Sequence, residues 1–141
     1  KHFFSFLSGY LGAGLVVILG KLWLFAEVKR PKTVMDHYEF YHWVEGVSLR
    51  SNHSFPSGHT QAAFSVFCFF SLCTQNKVLQ SLCLVAAILV GYSRIYISQH
   101  FLPDVVVGSF LGVSAMLISH HLWFRSEGKP WFHRSPFRKK A

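Results

Sequence analysis

Four stretches of the chain are apolar for long enough to set its architecture. They run from about Phe3 to Ala26, interrupted by Lys21, then from Gly58 to Thr74, Val78 to Ile97 and Pro103 to Trp123. A bilayer core about 30 Å thick is crossed by roughly 17–25 predominantly apolar residues in helical form. The pattern therefore predicts an all-α, integral membrane helical bundle with about four transmembrane helices. The competing reading, four helices buried in a soluble core, fails on length: 141 residues leave too little other chain to cover them. The same length predicts one domain over residues 1–141. There is no internal repeat and no low-complexity tract.

Composition supports lipid contact. Hydrophobic residues make up 51% and charged residues 14% of the chain, whereas soluble domains carry roughly 25% charged residues. The formal charge of +8 could suggest a nucleic-acid partner, but its distribution argues for a membrane flank. Arg125, Lys129, Arg134, Arg138, Lys139 and Lys140 all follow the last apolar segment, forming a basic tail over about 125–141. Such a cluster marks the cytoplasmic side. Counting back, Gln75–Lys77 and Lys1 are cytoplasmic, and the loop from about Glu27 to Phe55 and the link Ser98–Leu102 are outside. Lys29, Arg30, Lys32 and Arg50 then lie outside against the usual bias, which binding of an anion would explain. Cys68, Cys73 and Cys83 sit in apolar stretches without metal-site spacing and read as small hydrophobes. The segment Asp36–Trp43 reads as an interfacial aromatic belt or a substrate lid. No spacing among His37, His42 and His53 supports a metal.

Three short motifs fall at the outer ends of the predicted helices. The first is Lys21, eight residues, then Arg30-Pro31. The second is Pro56-Ser57-Gly58-His59, opening the second helix. The third is Ser93-Arg94, five residues, His100, three residues, Asp104. Cations near a bilayer rim are costly unless they serve a site. Arg30 and Arg94 offer planar forks matched to phosphate oxygens, and Lys21 a point charge. Ser57 and Gly58 sit at a helix start, where backbone N–H groups and the dipole favour an anion. Gly58 admits close approach, and Ser57 can cap the helix or donate its hydroxyl. His100 and Asp104, four apart, face the same way on a helical turn. A carboxylate on one ring nitrogen fixes the tautomer and leaves the other free to attack. His59, on another helix, can protonate a leaving oxygen.

In order and spacing these motifs resemble the three-part signature of the type 2 phosphatidic acid phosphatase superfamily, K-x(6)-RP, PSGH and SR-x(5)-H-x(3)-D. That group includes the vanadium haloperoxidases and glucose-6-phosphatase. The second and third parts match. In the first, Trp23 stands where the family spacing places lysine, and two residues of helix turn a side chain by about 200°. Either this segment departs from regular helix, or Lys21 reaches in by another path, or Lys29 takes the role.

The resemblance implies a lipid phosphatase acting at the outer membrane face, in a bacterial inner membrane with the site facing the periplasm or outside. It implies that Lys21, Arg30 and Arg94, with Ser57 and the Gly58 amide, hold the phosphate. His100 attacks phosphorus to form a phosphohistidine, Asp104 orients His100, and His59 is the general acid. No cofactor, metal or nucleic acid is implied; the partners are the bilayer and a membrane lipid phosphate. Substrate candidates are phosphatidic acid, phosphatidylglycerol phosphate, undecaprenyl pyrophosphate and a lipid A phosphate. Membrane members of the family usually have six helices with these motifs on the last four, so two helices are expected to precede this chain, a native four-helix form being the alternative. Other readings are a phosphotransferase, a soluble haloperoxidase and a non-catalytic membrane protein.

Overall fold

The computed structural model of the chain describes residues 1–35, 44 and 51–125. The aromatic segment 36–43, with His37 and His42, lies outside the described residues, as do Arg50 and the basic tail beyond Arg125. The elements run α1 (His2–Leu19) with a π-helical continuation (Gly20–Leu24), α2 (Pro31–Met35), α3 (Gly58–Cys73), α4 (Lys77–Tyr96) and α5 (Leu102–Phe124). No strand occurs among the described residues.

Three of these helices are long and apolar enough to cross a membrane: His2–Leu24, Lys77–Tyr96 and Leu102–Phe124. The segment read as a fourth span becomes α3, with 16 residues, or about 24 Å of rise. It is short because its first turn starts only after the Pro56-Ser57 corner and because Thr74, in extended backbone, ends it. α3 is the central helix, packed against α1, α4 and α5. It accordingly carries buried polar side chains, Thr60, Gln61 and Ser65.

Local chemistry sets the helix ends. The Ser57 hydroxyl accepts from the Thr60 amide as N-cap of α3. Asn76 Oδ1 caps α4 by accepting from the Val78 and Leu79 amides at 2.9 and 3.4 Å. Gln80 closes the α3–α4 turn by donating to the carbonyls of Ser71 and Thr74. At the other end of α4, Ser98 adopts φ 55°. Its amide donates to Ile95 O and the Gln99 amide to Arg94 O, a Schellman turn.

Packing between the helices relies on small residues, as it does where lipid removes the hydrophobic drive for association. α1 buries Ser5, Gly9, Ala13 and Val17, a strict four-residue stripe, and Ser119 on α5 donates to the Ser5 carbonyl at 2.7 Å. α5 approaches α3 through Gly108 and Gly112. A Cβ on Gly108 would sit 2.5 Å from the Ser57 carbonyl oxygen, and one on Gly112 would collide with the Gln61 carbonyl. The large apolar side chains point outward instead, among them Phe3, Leu11 and Leu15 on α1, Leu89 on α4 and Phe110 on α5. Cys68, Cys73 and Cys83 form no disulfide with one another; Cys73 is buried, its Sγ 3.9 Å from His2 Nδ1, and the other two are half-buried.

These contacts predict a sharp contrast between glycines. Gly108→Ala and Gly112→Ala force α3 and α5 apart and cost about 1–3 kcal/mol, the usual range for overpacking. Gly12→Ala on α1, where a Cβ meets nothing within 4 Å, is neutral or slightly stabilising. Unfolding of the three variants in detergent by a denaturing surfactant tests this; equal stability at all three sites would refute the close approach.

Candidate active site

The three motifs converge at one end of the bundle. α1 ends there, α3 and α5 begin there, and α4 returns to it. A cavity of about 580 Å³ opens at this end, lined by Lys21 and Arg30, by Gly58 and His59 of α3, by Arg94 of α4 and by Gln99 and His100 of the following link. Below them the wall is aliphatic, formed by Val17, Ile18, Ala62 and Ile97. No carboxylate is among the described residues on this wall.

Lys21 reaches the cavity by continuing the four-residue stripe of α1: it lies four residues after Val17 and three after Ile18, both on the same wall. Over Gly20–Leu24 the helix is π-type, and the Phe25 amide donates to Gly20 O, five residues back, at 2.9 Å. The wider turn breaks the regular 100° step. Trp23, at the position matching the family spacing, points outward and is 82% exposed. Lys29 is exposed and does not line the cavity. Lys21 Nζ donates to the His53 carbonyl at 2.9 Å.

Arg30 is buried at 6% exposure and acts as a clamp. Its Nε donates to Asn52 O and one terminal nitrogen to both the backbone oxygen and Oε1 of Gln99; the other donates to His53 O. The planar fork thus joins the loop before α3 to the link before α5. The Arg30 amide and the Thr33 hydroxyl both donate to Ser51 O. His53, at φ 59°, turns its carbonyl toward Lys21 and Arg30. Residues 51–54 therefore form a strap whose backbone seats the two cations.

On the opposite side the strap meets the histidine. Asp104 Oδ2 accepts from His100 Nδ1 at 3.3 Å, from the Phe101 amide at 3.1 Å and from the Ser54 hydroxyl. His100 is 3% exposed, Asp104 4% and Ser54 fully buried. With Nδ1 turned to the carboxylate, Nε2 is the nitrogen left for the cavity. The His100 backbone is tied in turn to Arg94 O at 3.2 Å, so Arg94 and His100 are held by one turn. Pro103 in the first turn of α5 and the Asp104 carboxylate on the Phe101 amide start that helix.

Ser57, like Asp104, is a site candidate that the geometry sets back from the cavity. Its hydroxyl is buried, capping α3 and bonded to the Thr60 hydroxyl at 2.9 Å, and it is absent from the cavity wall. Its amide donates to Asp104 O at 3.0 Å, which pins the start of α3 to that of α5. Gly58 and the exposed His59 follow on the wall. Ser54 and Gln99 are the participants that motif spacing passes over: neither occupies a signature position, and a polar residue in a loop carries no periodic mark.

A bundle of membrane-length helices in which three cations and two histidines line one cavity at one end defines a helical membrane protein with a cationic pocket. The profile of the PAP2 superfamily matches residues 2–127, and the chain belongs to that superfamily. It is 38% identical over 72 residues to phosphatidylglycerophosphatase B of Bacillus subtilis (strain 168). That match covers 45% of this chain and 36% of the relative, so it spans about a third of the relative's length. The crystal structure of Aquifex aeolicus LpxE superposes with a TM-score of 0.69 at 27% identity, over 84% of this chain and 67% of that one.

Burial, together with the positive charges of Arg30 and Lys21, lowers the pKa of His100, and the bond to Asp104 offsets only part of this. The titration midpoint of His100, read by NMR of the ring in detergent, is therefore expected below the ordinary value of about 6.5. The sign for stability follows. Below that ordinary value the unfolded chain binds the proton and the folded chain resists it, so stability contributed by neutral His100 is lost as pH falls from there through the folded pKa. A midpoint above 6.5 would contradict the burial.

Proposed function

We propose that the chain carries the catalytic site of a membrane lipid phosphatase that hydrolyses a phosphomonoester or pyrophosphate through a phosphohistidine on His100. The observation that carries this reading is the single cavity shared by Lys21, Arg30, Arg94, Gly58, His59 and His100. Phosphoryl transfer needs mainly positioning and stabilisation of charge on the equatorial oxygens. Lys21, Arg30 and Arg94 supply cations, and the amides at the start of α3 supply donors.

In the proposed reaction, His100 Nε2 attacks phosphorus in line. The bond to the lipid oxygen breaks as His59 gives it a proton. Water, activated by His59, then cleaves the phosphorus–nitrogen bond, releasing inorganic phosphate and restoring His100. Asp104 keeps the Nδ1 proton in place throughout. Ser57 contributes by holding the first turn of α3. The aliphatic floor of Val17, Ile18, Ala62 and Ile97 suits the hydrocarbon next to a lipid head group. The names of the relatives point the same way: one is a phosphatidylglycerophosphatase. The reading places the cavity at the outer face of a bacterial inner membrane, on the strength of the basic residues that follow the last apolar segment in the sequence.

The test is phosphate release by the purified chain from phosphatidic acid, phosphatidylglycerol phosphate, undecaprenyl pyrophosphate and a lipid A phosphate in detergent, with and without EDTA. Hydrolysis of at least one that survives EDTA is expected; none would sink the proposal. His100→Ala abolishes turnover. His59→Ala costs about 10²–10⁴-fold on a lipid phosphate and toward the low end of that range on an aryl phosphate, whose leaving group needs less help. Equal losses on both substrates would remove His59 as general acid. A Cβ at Gly58 meets only Val17 Cγ1, at an ordinary 3.6 Å. Gly58→Ala thus folds normally but lowers turnover, because the added methyl occupies the anion's approach.

A further inference from the structure

We propose that Ser54 is a positioning residue for His100, acting through Asp104. The inference rests on the reading of His100 as nucleophile and adds a residue outside the three motifs.

Asp104 Oδ2 is the common acceptor of three donors. The Phe101 amide lies at 3.1 Å, His100 Nδ1 at 3.3 Å, and the Ser54 hydroxyl makes the shortest contact. Phe101 and Ser54 approach from different parts of the chain, so the oxygen cannot turn without losing one of them. The ring of His100 follows the oxygen. Ser54 is itself fixed: it is fully buried, and its amide donates to Val28 O at 3.1 Å. It does not line the cavity and so cannot touch the phosphate. The effect of its hydroxyl on the reacting atoms must pass through the carboxylate.

That effect has two parts. The hydroxyl stops rotation of the carboxylate, which would swing His100 Nε2 off the line of attack; small misplacements of a reacting atom are costly. It also draws charge from Oδ2, as any donor to a carboxylate does. Asp104 then orients the Nδ1 proton without pulling strongly on the imidazolium. With the hydroxyl gone, more of the carboxylate charge faces Nδ1, and protonated His100 is favoured. The other charged or titratable groups around His100 are Lys21 at the end of α1, Arg30 before α2, His59 on α3 and Arg94 on α4. All of them remain in a Ser54 variant, so a change in His100 titration reports on Asp104.

The strap makes a merely structural role a real competitor, because His53, next to Ser54, seats Lys21 and Arg30 through its carbonyl. Disturbing the strap would loosen the phosphate clamp and appear in KM. Losing orientation appears in kcat and in the pH profile. The experiment uses the full chain in detergent with Ser54→Ala and Ser54→Thr. The readouts are kcat and KM on phosphatidic acid or whichever lipid phosphate is turned over, the acid limb of kcat/KM, and the His100 midpoint by NMR. Ser54→Ala is expected to lower kcat about tenfold to a hundredfold, the range known for outer partners that orient metal-bound histidines, carried over here to a histidine held by a carboxylate. KM stays near the wild-type value, and the acid limb and NMR midpoint both move up in pH. Ser54→Thr, which keeps the hydroxyl, restores both. An unchanged midpoint with unchanged kcat overturns the proposal, and so does a KM increase with an unmoved midpoint. If Ser54→Ala does not fold, Ser54→Cys, close in volume but a weak donor, is read by the same criteria. A wild-type chain that hydrolyses no phosphate ester, yet whose His100 midpoint still rises in Ser54→Ala, would refute the phosphatase reading and support the coupling.

Discussion

The close approach of α3 and α5 is the constraint on which the rest of this structure depends. Gly108 lets the Ser57 carbonyl sit against the α5 backbone, and Gly112 does the same for Gln61. Only at that distance can the Ser57 amide reach Asp104 O. The bond fixes the beginning of one helix against the beginning of the other. The first turn of α3, with its outward amides, thereby lies beside the histidine–aspartate pair. Association of helices in lipid lacks the hydrophobic drive available in water, so backbone proximity and buried polar bonds carry more of the load. Ser65 Oγ, donating to Gly112 O at 3.2 Å, continues the same contact one turn further along.

Within the helix bundle, the described residues enclose polar side chains between the helices. Thr60, Gln61, Ser65, Arg30 and Asp104 are all buried, and the bonds of each are made to backbone or neighbouring side chains. The outer surfaces of α1, α4 and α5 are dominated by Leu, Val, Ile and Phe. This inversion of the soluble pattern is what the low charge content signalled. It also explains why the apolar segments could be read as helices but not ranked by depth: a sequence window records hydropathy, whereas α3 is central because its glycine-faced neighbour lets it be.

Much of the site was legible in the sequence because its residues sit at fixed spacings on regular elements. His100 and Asp104 are four apart across the start of α5, where the carboxylate reaches back past the N-cap to the ring; PSGH is a helix start in its composition alone. Lys21 was legible as a candidate and not as a position. Its spacing departs from the family signature by two residues, and the structure resolves the conflict by placing Lys21 on the buried stripe of α1 beyond Val17, while Trp23, within the π-helical turn Gly20–Leu24, points outward. The double possibility for Ser57 resolves toward capping. Ser54, Gln99 and the strap 51–54 were illegible for a different reason. They act through backbone carbonyls and a single hydroxyl, groups that nearly every loop possesses, and their importance lies in what folds against them.

The turn after α4 has a mechanical consequence. Arg94 and His100 are joined through one carbonyl and a left-handed serine, Ser98, a conformation that costs a non-glycine residue roughly 1–2 kcal/mol. Their separation is thus set within a single loop of backbone and not by how α4 leans against its neighbours. α4 is the helix with the least of its surface buried among the three membrane-length helices, and it is the one a fluctuating bilayer would tilt most freely. With the ring of His100 held by Asp104 of α5 and its amide by Arg94 of α4, the turn stitches the ends of two helices together, so that rocking of α4 in lipid is opposed at the very end where the cation and the histidine meet.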